Sequence, residues 1–447
     1  MISSFLNEDS FDEIFNKASS KKILKSVTES MEHQQITGTA RTAEDSFPTL
    51  GPQREYVIQQ YIRTLFDKQG VNSGGIAQHP DFLSLALDNT TKNQYVSTLF
   101  IDIKGSTRLS LIYDLEFVYK FKNAVLQTCI EIVRSFDGYV HRLMGDALMA
   151  FFGSSSMDKE QAAIDSINCS LMCKLTLERA IKPWLERHKG FDASTFGFRI
   201  GCNFGDDHEV LWGNYGFGYL GEVSPTGLPV DLAAKLQGLA SKNEIMIGQG
   251  IIDFIRWPEE YSAIKTERRS GVDVPVKFVT PNYVKKDGSN LDYSMRLLGY
   301  ENCLEYLPID SEVKSSLKGS KYIDNSAIKL TCQLRDSNGA LSSYVSGTKF
   351  LEKNLGLIFT VSAVTASRLK FPLAITFKKK NHGPDVPVDA LKEDIKTRSI
   401  TKSNDNPYSI CSIDEGTSYR GLHTMGCEVR DSDGALVYRN KIAVLIK

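Results

Sequence analysis

Two aspartates carry the chemistry that this sequence offers most plainly. Asp102 closes a β-rich run over residues 95–103 and is followed by Lys104-Gly105-Ser106-Thr107. Asp146 follows Gly145 at the tip between two short β-like runs, 139–144 and 147–152. If this hairpin pairs beside the first strand, both carboxylates reach one end of one sheet. Two carboxylates held close repel, and a cation between them relieves the repulsion. Oxygen ligands without Cys or His suit Mg²⁺ or Mn²⁺. A pair of such ions activates a hydroxyl and neutralises phosphates in an in-line displacement. The plainer reading has Asp102 capping the next helix and Asp146 as a turn residue. Spacing alone leaves both open.

The elements that must position these residues follow from hydrophobic periodicity. After the first strand the pattern predicts a long helix over about 109–136, with Leu115, Val118, Phe121, Val125, Ile130 and Val133 inward. The hairpin follows, then a second long helix over 159–188, a strand at 196–201, a short helix at 229–241 and a strand at 244–247. This order describes an α/β layered domain over about 93–300. Residues 1–92 read as a helical and loop appendage, with a polar, mobile stretch at 31–51. From about 315 to 447 the helices nearly vanish. Short alternating segments separated by turns predict a β-rich, Ig-like sandwich. Two turns there, Asp336-Ser337-Asn338-Gly339 and Asp431-Ser432-Asp433-Gly434, are read as one turn chemistry used twice. Lys378-Lys379-Lys380 reads as a solvated hairpin end, and His382 and His423 as structural.

Composition excludes several classes. Across 447 residues, 53 Lys and Arg face 54 Asp and Glu, a net charge of −1. A strongly basic nucleic-acid binder and an acidic tail protein are both disfavoured, and no nucleic-acid partner is expected. No apolar run approaches the ~20 residues that span a bilayer. The N-terminus lacks the basic flank and apolar stretch of a signal peptide, so a cytoplasmic protein without a membrane partner is expected. Eight scattered cysteines suit buried thiols in a reducing compartment. Cys169 and Cys173 share a helical spacing, but His188 alone does not complete a zinc site.

Four segments in order resemble class III nucleotidyl cyclases. Leu99-Phe100-Ile101-Asp102-Ile103-Lys104-Gly105-Ser106-Thr107 is similar to the family's first metal motif, and Arg142 to Phe151, with Gly145-Asp146, to the second. Phe198 to Gly205 resembles the strand-to-glycine segment. Gly227 to Leu236 resembles the helix that supplies ribose and phosphate contacts. The resemblance implies a ferredoxin-like catalytic fold and a head-to-tail homodimer with its active sites at the interface. It implies two divalent ions, Mn²⁺ or Mg²⁺, held by Asp102, Asp146 and the carbonyl of Ile103. Lys104 and Gly105 lie where backbone N–H groups cradle phosphates. Lys286 falls where relatives contact the β- or γ-phosphate, Lys285 is equally placed, and the plainer reading of both is a solvated lysine.

Departures from the family are informative. Asp231 stands where the family usually has Asn, and Lys235 where it has the transition-state Arg. A lysine is a point charge and not a planar fork, yet it still neutralises an α-phosphate. The two base-reading positions align with Arg142 and Ser224, which match neither purine code. Arg142 is donor-only, so it serves the acceptors of uracil or cytosine, and it leans the choice towards UTP over CTP. The plainer alternative pairs Arg142 with an acid such as Glu131 or Asp137. The whole resembles the pyrimidine cyclases of bacterial anti-phage (Pycsar) systems, whose product activates a separate effector. The β-rich tail resembles a sensor domain, with a phage component as its candidate ligand. The competing expectations are a purine cyclase with an unusual base pocket and a catalytically silent nucleotide-binding dimerisation module.

Overall fold

A computed structural model describes residues 7–18, 56–88, 90–189, 191–216, 221–279 and 283–447. The polar stretch at 31–51 lies outside the described residues. Helices α1 (Glu8–Ala18) and α2 (Val57–Leu65) come first, then β1 (Thr91–Asn93), β2 (Val96–Lys104), α3 (Ser106–Ile112) and α4 (Leu115–Ser135). The hairpin β3 (Tyr139–Met144) and β4 (Ala147–Phe152) precedes α5 (Lys159–Thr176), which continues through a π-helical turn, Leu177–Ile181. Next come β5 (Gly197–Gly205), β6 (Leu211–Tyr215), β7 (Glu222–Thr226), α6 (Leu228–Leu239) and β8 (Glu244–Gly248). The strands β9 (Ser262–Ala263), β10 (Lys265–Arg269), β11 (Val272–Val276) and β12 (Met295–Leu298), with helix α7 (Tyr300–Tyr306), complete this half.

Seven strands form the main sheet of this half in the order β3-β4-β2-β5-β8-β12-β9. Alternation along each strand sorts its two faces. Leu99, Ile101 and Ile103 of β2, with Phe198, Ile200, Cys202 and Phe204 of β5, enter the main core with α4 and α5. The intervening residues, among them Phe100, Asp102, Arg199 and Gly201, occupy the opposite face. Helix α6 lies on that face, directly against β5. A Cβ at Gly201 would come within 2.5 Å of the Gln237 nitrogen and the Ala233 oxygen, so only glycine admits the helix. A separate antiparallel layer, β1-β6-β7, stands beside it, with Trp212 stacked on Phe82 at 3.8 Å between ring centroids.

Several expectations are corrected. The single helix over 109–136 is two, α3 and α4. Asp114 breaks it by accepting a cap bond from the Phe117 amide at 2.8 Å, which leaves Leu115 exposed. The segment read as an appendage is part of the main core: Phe11, Ile58, Ile62 and Phe66 are buried in it. All eight cysteines are free and buried, and among the described residues no group of three or more His, Cys, Asp or Glu side chains gathers as a metal cage.

The C-terminal half holds β13 (Ile328–Arg335), β14 (Leu341–Tyr344), β15 (Phe350–Leu351), β16 (Gly356–Val364), β17 (Leu373–Lys380), β18 (Asp394–Ile400), β19 (Tyr408–Gly416), β20 (Gly421–Arg430) and β21 (Leu436–Ile446). Two sheets, β14-β13-β16-β19 and β15-β21-β20-β17-β18, enclose one core. Leu357, Phe359 and Val361 of β16 enter that core, as do Ile375 and Phe377 of β17. Both Asp-started turns have the same bonds: Asp336 and Asp431 each accept on Oδ1 from the residues two and four further on.

The two halves also share a core. Phe350, Leu422, Ala443 and Leu445 join the main core of the N-terminal half. Arg420 bonds Glu160 at 2.9 Å, and Lys447 bonds Asp158 at 2.7 Å. The run 378–380 is no solvated tip. Its lysines pair with Glu428, Glu415 and Glu260 respectively. The His382 backbone amide donates to Nδ1 of His423 at 3.2 Å. No helix among the described residues is long and apolar enough to cross a membrane.

Candidate active site

Strand register brings the two aspartates together. β4 lies antiparallel to β2 with Asp102 opposite Ala147, the residue after Asp146. Pairing with β4 ends at Asp102, whereas β5 follows β2 to Lys104. The chain then turns at Gly105, whose φ of +91° suits glycine, and whose absent Cβ would fall 2.4 Å from the Thr195 oxygen. Helix α3 starts immediately after it and places Ser106 under the hairpin tip.

Both carboxylates already attract donors. Asp102 Oδ2 accepts from Arg199 Nε at 2.8 Å and from a second guanidinium nitrogen. Asp146 Oδ2 accepts from the Ser106 hydroxyl, and Lys122 Nζ stands 3.8 Å away. Neither side chain is sealed, at 16% and 27% exposure. The donor set is all oxygen and limited to two carboxylates. That fits Mg²⁺ or Mn²⁺, which complete their shells with water and substrate phosphates. Arg199, Lys122 and Ser106 were not singled out from sequence. The signal was a basic residue directly across the β2–β5 ladder from Asp102, legible only once the register was known.

Arg142 lies on β3, and its acid is neither Glu131 nor Asp137. Glu131 is held by Arg134, and Asp137 by Arg63 and Lys68. Arg142 instead grips Glu222 of β7 with two donors, Nε lying 3.0 Å from Oε1. Glu222 is two residues from Ser224, so both project from the same face of β7. His141 Nε2 lies 2.7 Å from Glu222 Oε1 without the alignment of a hydrogen bond, and burial pulls its imidazole down to about 4. Glu222 is a further residue that sequence reasoning missed. Eighty positions separate it from Arg142, and no local pattern joins them.

The helix residues point elsewhere. Asp231 and Lys235 are one turn apart on the outer, exposed face of α6. The Lys235 ammonium lies over the Tyr283 ring, 5.1 Å from its centroid. Lys286 is exposed at the tip of the turn that follows, closed by a bond from the Lys285 amide to the Ser289 oxygen at 2.7 Å. Within one chain Asp102 is held by Arg199 and Asp146 by Ser106, whereas Arg142 is held by Glu222 on the strand of Ser224. Lys235 and the Lys286 turn form a separate group. The N-terminus of α6 sits at the far end of β5, where Asn203 Nδ2 donates to the Pro229 oxygen at 2.9 Å.

Residues 305–447 match the adenylyl/guanylyl and SMODS C-terminal sensor domain. A cytidylate cyclase of Escherichia coli is 39% identical over 437 residues, covering 93% of this chain and 95% of that protein. A cytidylate cyclase of Staphylococcus aureus is 32% identical over 393 residues, 87% of each. Among solved structures, the adenylyl cyclase CyaB of P. aeruginosa is 18% identical over 47% of this chain and 95% of its own, with a TM-score of 0.37. The chain is a nucleotide cyclase. It belongs to the family that contains these cytidylate cyclases, and its C-terminal residues 305–447 are similar to the sensor domain named above.

Proposed function

We propose that this enzyme converts CTP into 3′,5′-cyclic CMP and pyrophosphate, as a signal in anti-phage defence. The observation that carries the base assignment is the Arg142–Glu222 pair, together with the cytidylate cyclase names of the relatives. Arg142 alone offers only donors and favours uracil. Glu222 beside it adds the acceptor that the cytosine amine needs, while Arg142 donates to cytosine N3 and O2. The same pair complements guanine, so GTP is the substrate to compete against CTP and UTP.

Two divalent ions on Asp102, Asp146 and the Ile103 carbonyl would neutralise the triphosphate and acidify the ribose 3′-hydroxyl. The protein's own groups do the remainder. Asp102 and Asp146 orient the reacting end. Arg142, Glu222 and Ser224 hold the base. Asp231 positions the ribose, and Lys235 and Lys286 place positive charge on the phosphates, Lys235 at the α-phosphate where charge develops. Attack by the 3′-oxygen on the α-phosphorus forms the cyclic ester as the bond to pyrophosphate breaks.

Because Asp102 and Lys235 belong to separate groups within one chain, we read the working site as shared by two chains in a head-to-tail homodimer. The test is incubation with ATP, GTP, CTP and UTP plus Mn²⁺, with products identified by mass spectrometry and Asp102→Ala alongside. Cyclic CMP that disappears in the variant is expected. Cyclic GMP or cyclic UMP as the main product would overturn the base assignment.

A further inference from the structure

The outer face of β17, β20 and β21 and the catalytic half enclose a cavity of about 550 Å³. This is within the ~300–1,000 Å³ usual for small-molecule sites. One register row forms its sensor-side floor. Lys378 of β17 stands opposite Gly426 of β20, and Gly426 opposite Lys441 of β21. Two ammonium groups thus flank a position without a side chain. The backbone does not demand glycine there. Gly426 is outside the left-handed region, and a Cβ on it would meet nothing nearer than 3.6 Å. What the glycine does is keep the middle of the floor open.

The walls carry more positive than negative groups. Lys321, Lys378, Lys380, Arg439 and Lys441 line the space. The carboxylates are Glu260, Glu305, Glu393 and Glu428. Glu428 is shared by Lys378 at 2.8 Å and Arg439 at 2.9 Å. Lys441 reaches Glu305 of α7 at 2.8 Å, and Lys380 reaches Glu260, just before β9. Tyr322 supplies a flat aromatic wall, with the buried Lys314 ammonium 5.3 Å from its ring centroid.

We propose that this cavity binds a small phosphate-bearing anion of nucleotide size, its phosphate over Gly426 between Lys378 and Lys441 and its organic part along Tyr322. Ammonium groups bind phosphate as point charges, and charge-assisted bonds of this kind are strong. The bound anion competes with Glu305 for Lys441 and with Glu260 for Lys380. Glu260 belongs to the catalytic half and Glu305 lies on α7 where the sensor match begins, so occupancy exchanges ion pairs at the junction of the two halves, next to the edge strand β9. The source is either the enzyme's own cyclic product or a separate metabolite.

Calorimetric titration of the full chain in EDTA, with inorganic phosphate, CMP and cyclic CMP as probes, tests this without relying on turnover. Gly426→Leu fills the floor, and its melting temperature verifies folding. Lys378→Ala is the second variant, and Asp102→Ala separates this cavity from the cyclase site. Binding of a probe that weakens about tenfold or more in Gly426→Leu and Lys378→Ala, but persists in Asp102→Ala, is expected. Preference for cyclic CMP identifies the product as the source, and preference for CMP or phosphate a separate metabolite. No binding at millimolar concentration, or binding indifferent to both cavity variants, overturns the proposal.

Discussion

Arg142 and Glu222 meet with two donors against one carboxylate across two different layers of the catalytic half, β3 in the main sheet and β7 in the small one. The pair is partly open, so its contribution to stability is small. Its worth is positional, since it sets one donor beside one acceptor on an accessible face. Glu222→Ala removes the acceptor and frees the arginine. The expected result is a fall of about tenfold or more in kcat/KM for CTP relative to UTP, in line with ~1–3 kcal/mol for a lost bidentate base contact. Competition assays with paired triphosphates measure that ratio directly. An unchanged ratio would remove Glu222 from base recognition.

A shared site makes a complementation prediction. Asp102→Ala and Lys235→Ala are each expected to be inactive, the second through loss of about 10²–10³ in kcat. Mixed and allowed to exchange chains, they should recover about a quarter of wild-type activity, because half the dimers then contain one intact site of two. Lys235→Arg should retain turnover. No recovery on mixing would place the whole site in one chain.

Gly105→Ala probes the turn behind Asp102. Its φ of +91° and the Thr195 oxygen 2.4 Å from the new Cβ both oppose the substitution. A loss of about 1 kcal/mol or more is expected, read as a lower melting temperature. Turnover should fall with it, because Asp102 and Ser106 flank the displaced backbone.

His382 makes stability depend on pH. Burial holds its imidazole down at about 4, against an ordinary 6.5. The folded state therefore favours the neutral ring. That contribution is complete above pH 6.5 and is lost as pH falls towards 4. Between pH 6.5 and 5 the loss is roughly 2 kcal/mol. Urea midpoints measured across this range should decline less steeply in His382→Gln than in wild type.

Much of this was legible in the sequence, for identifiable reasons. The β3–β4 hairpin was placed to the residue, because two short apolar runs flank a Gly-Asp tip. The hairpin does pair beside the first strand, which sets Asp102 opposite Ala147, the neighbour of Asp146. The break at Asp114 was missed because the apolar spacing on either side of it is continuous. Strands β6 and β7 were missed because Trp212-Gly213-Asn214 and Glu222 to Thr226 lack clean alternation. With them went Glu222, whose role depends on a contact between layers. The N-terminal helices were read as peripheral because amphipathic spacing tells which face is buried, not against what.

The interior shared by the two halves constrains how a signal could travel. Leu422, Ala443 and Leu445 of the C-terminal half are packed into the hydrophobic core of the catalytic half, and the Asn168 side-chain amide donates to the Gly347 carbonyl at 3.0 Å. A module attached in this way cannot swing on a tether. Any signal passed between the halves would travel as slight repacking inside a common interior, with β21 acting as a beam built into the wall of the enzyme. Removing that strand would leave the catalytic half with an open, apolar wound, so the cyclase is not expected to survive as an isolated fragment.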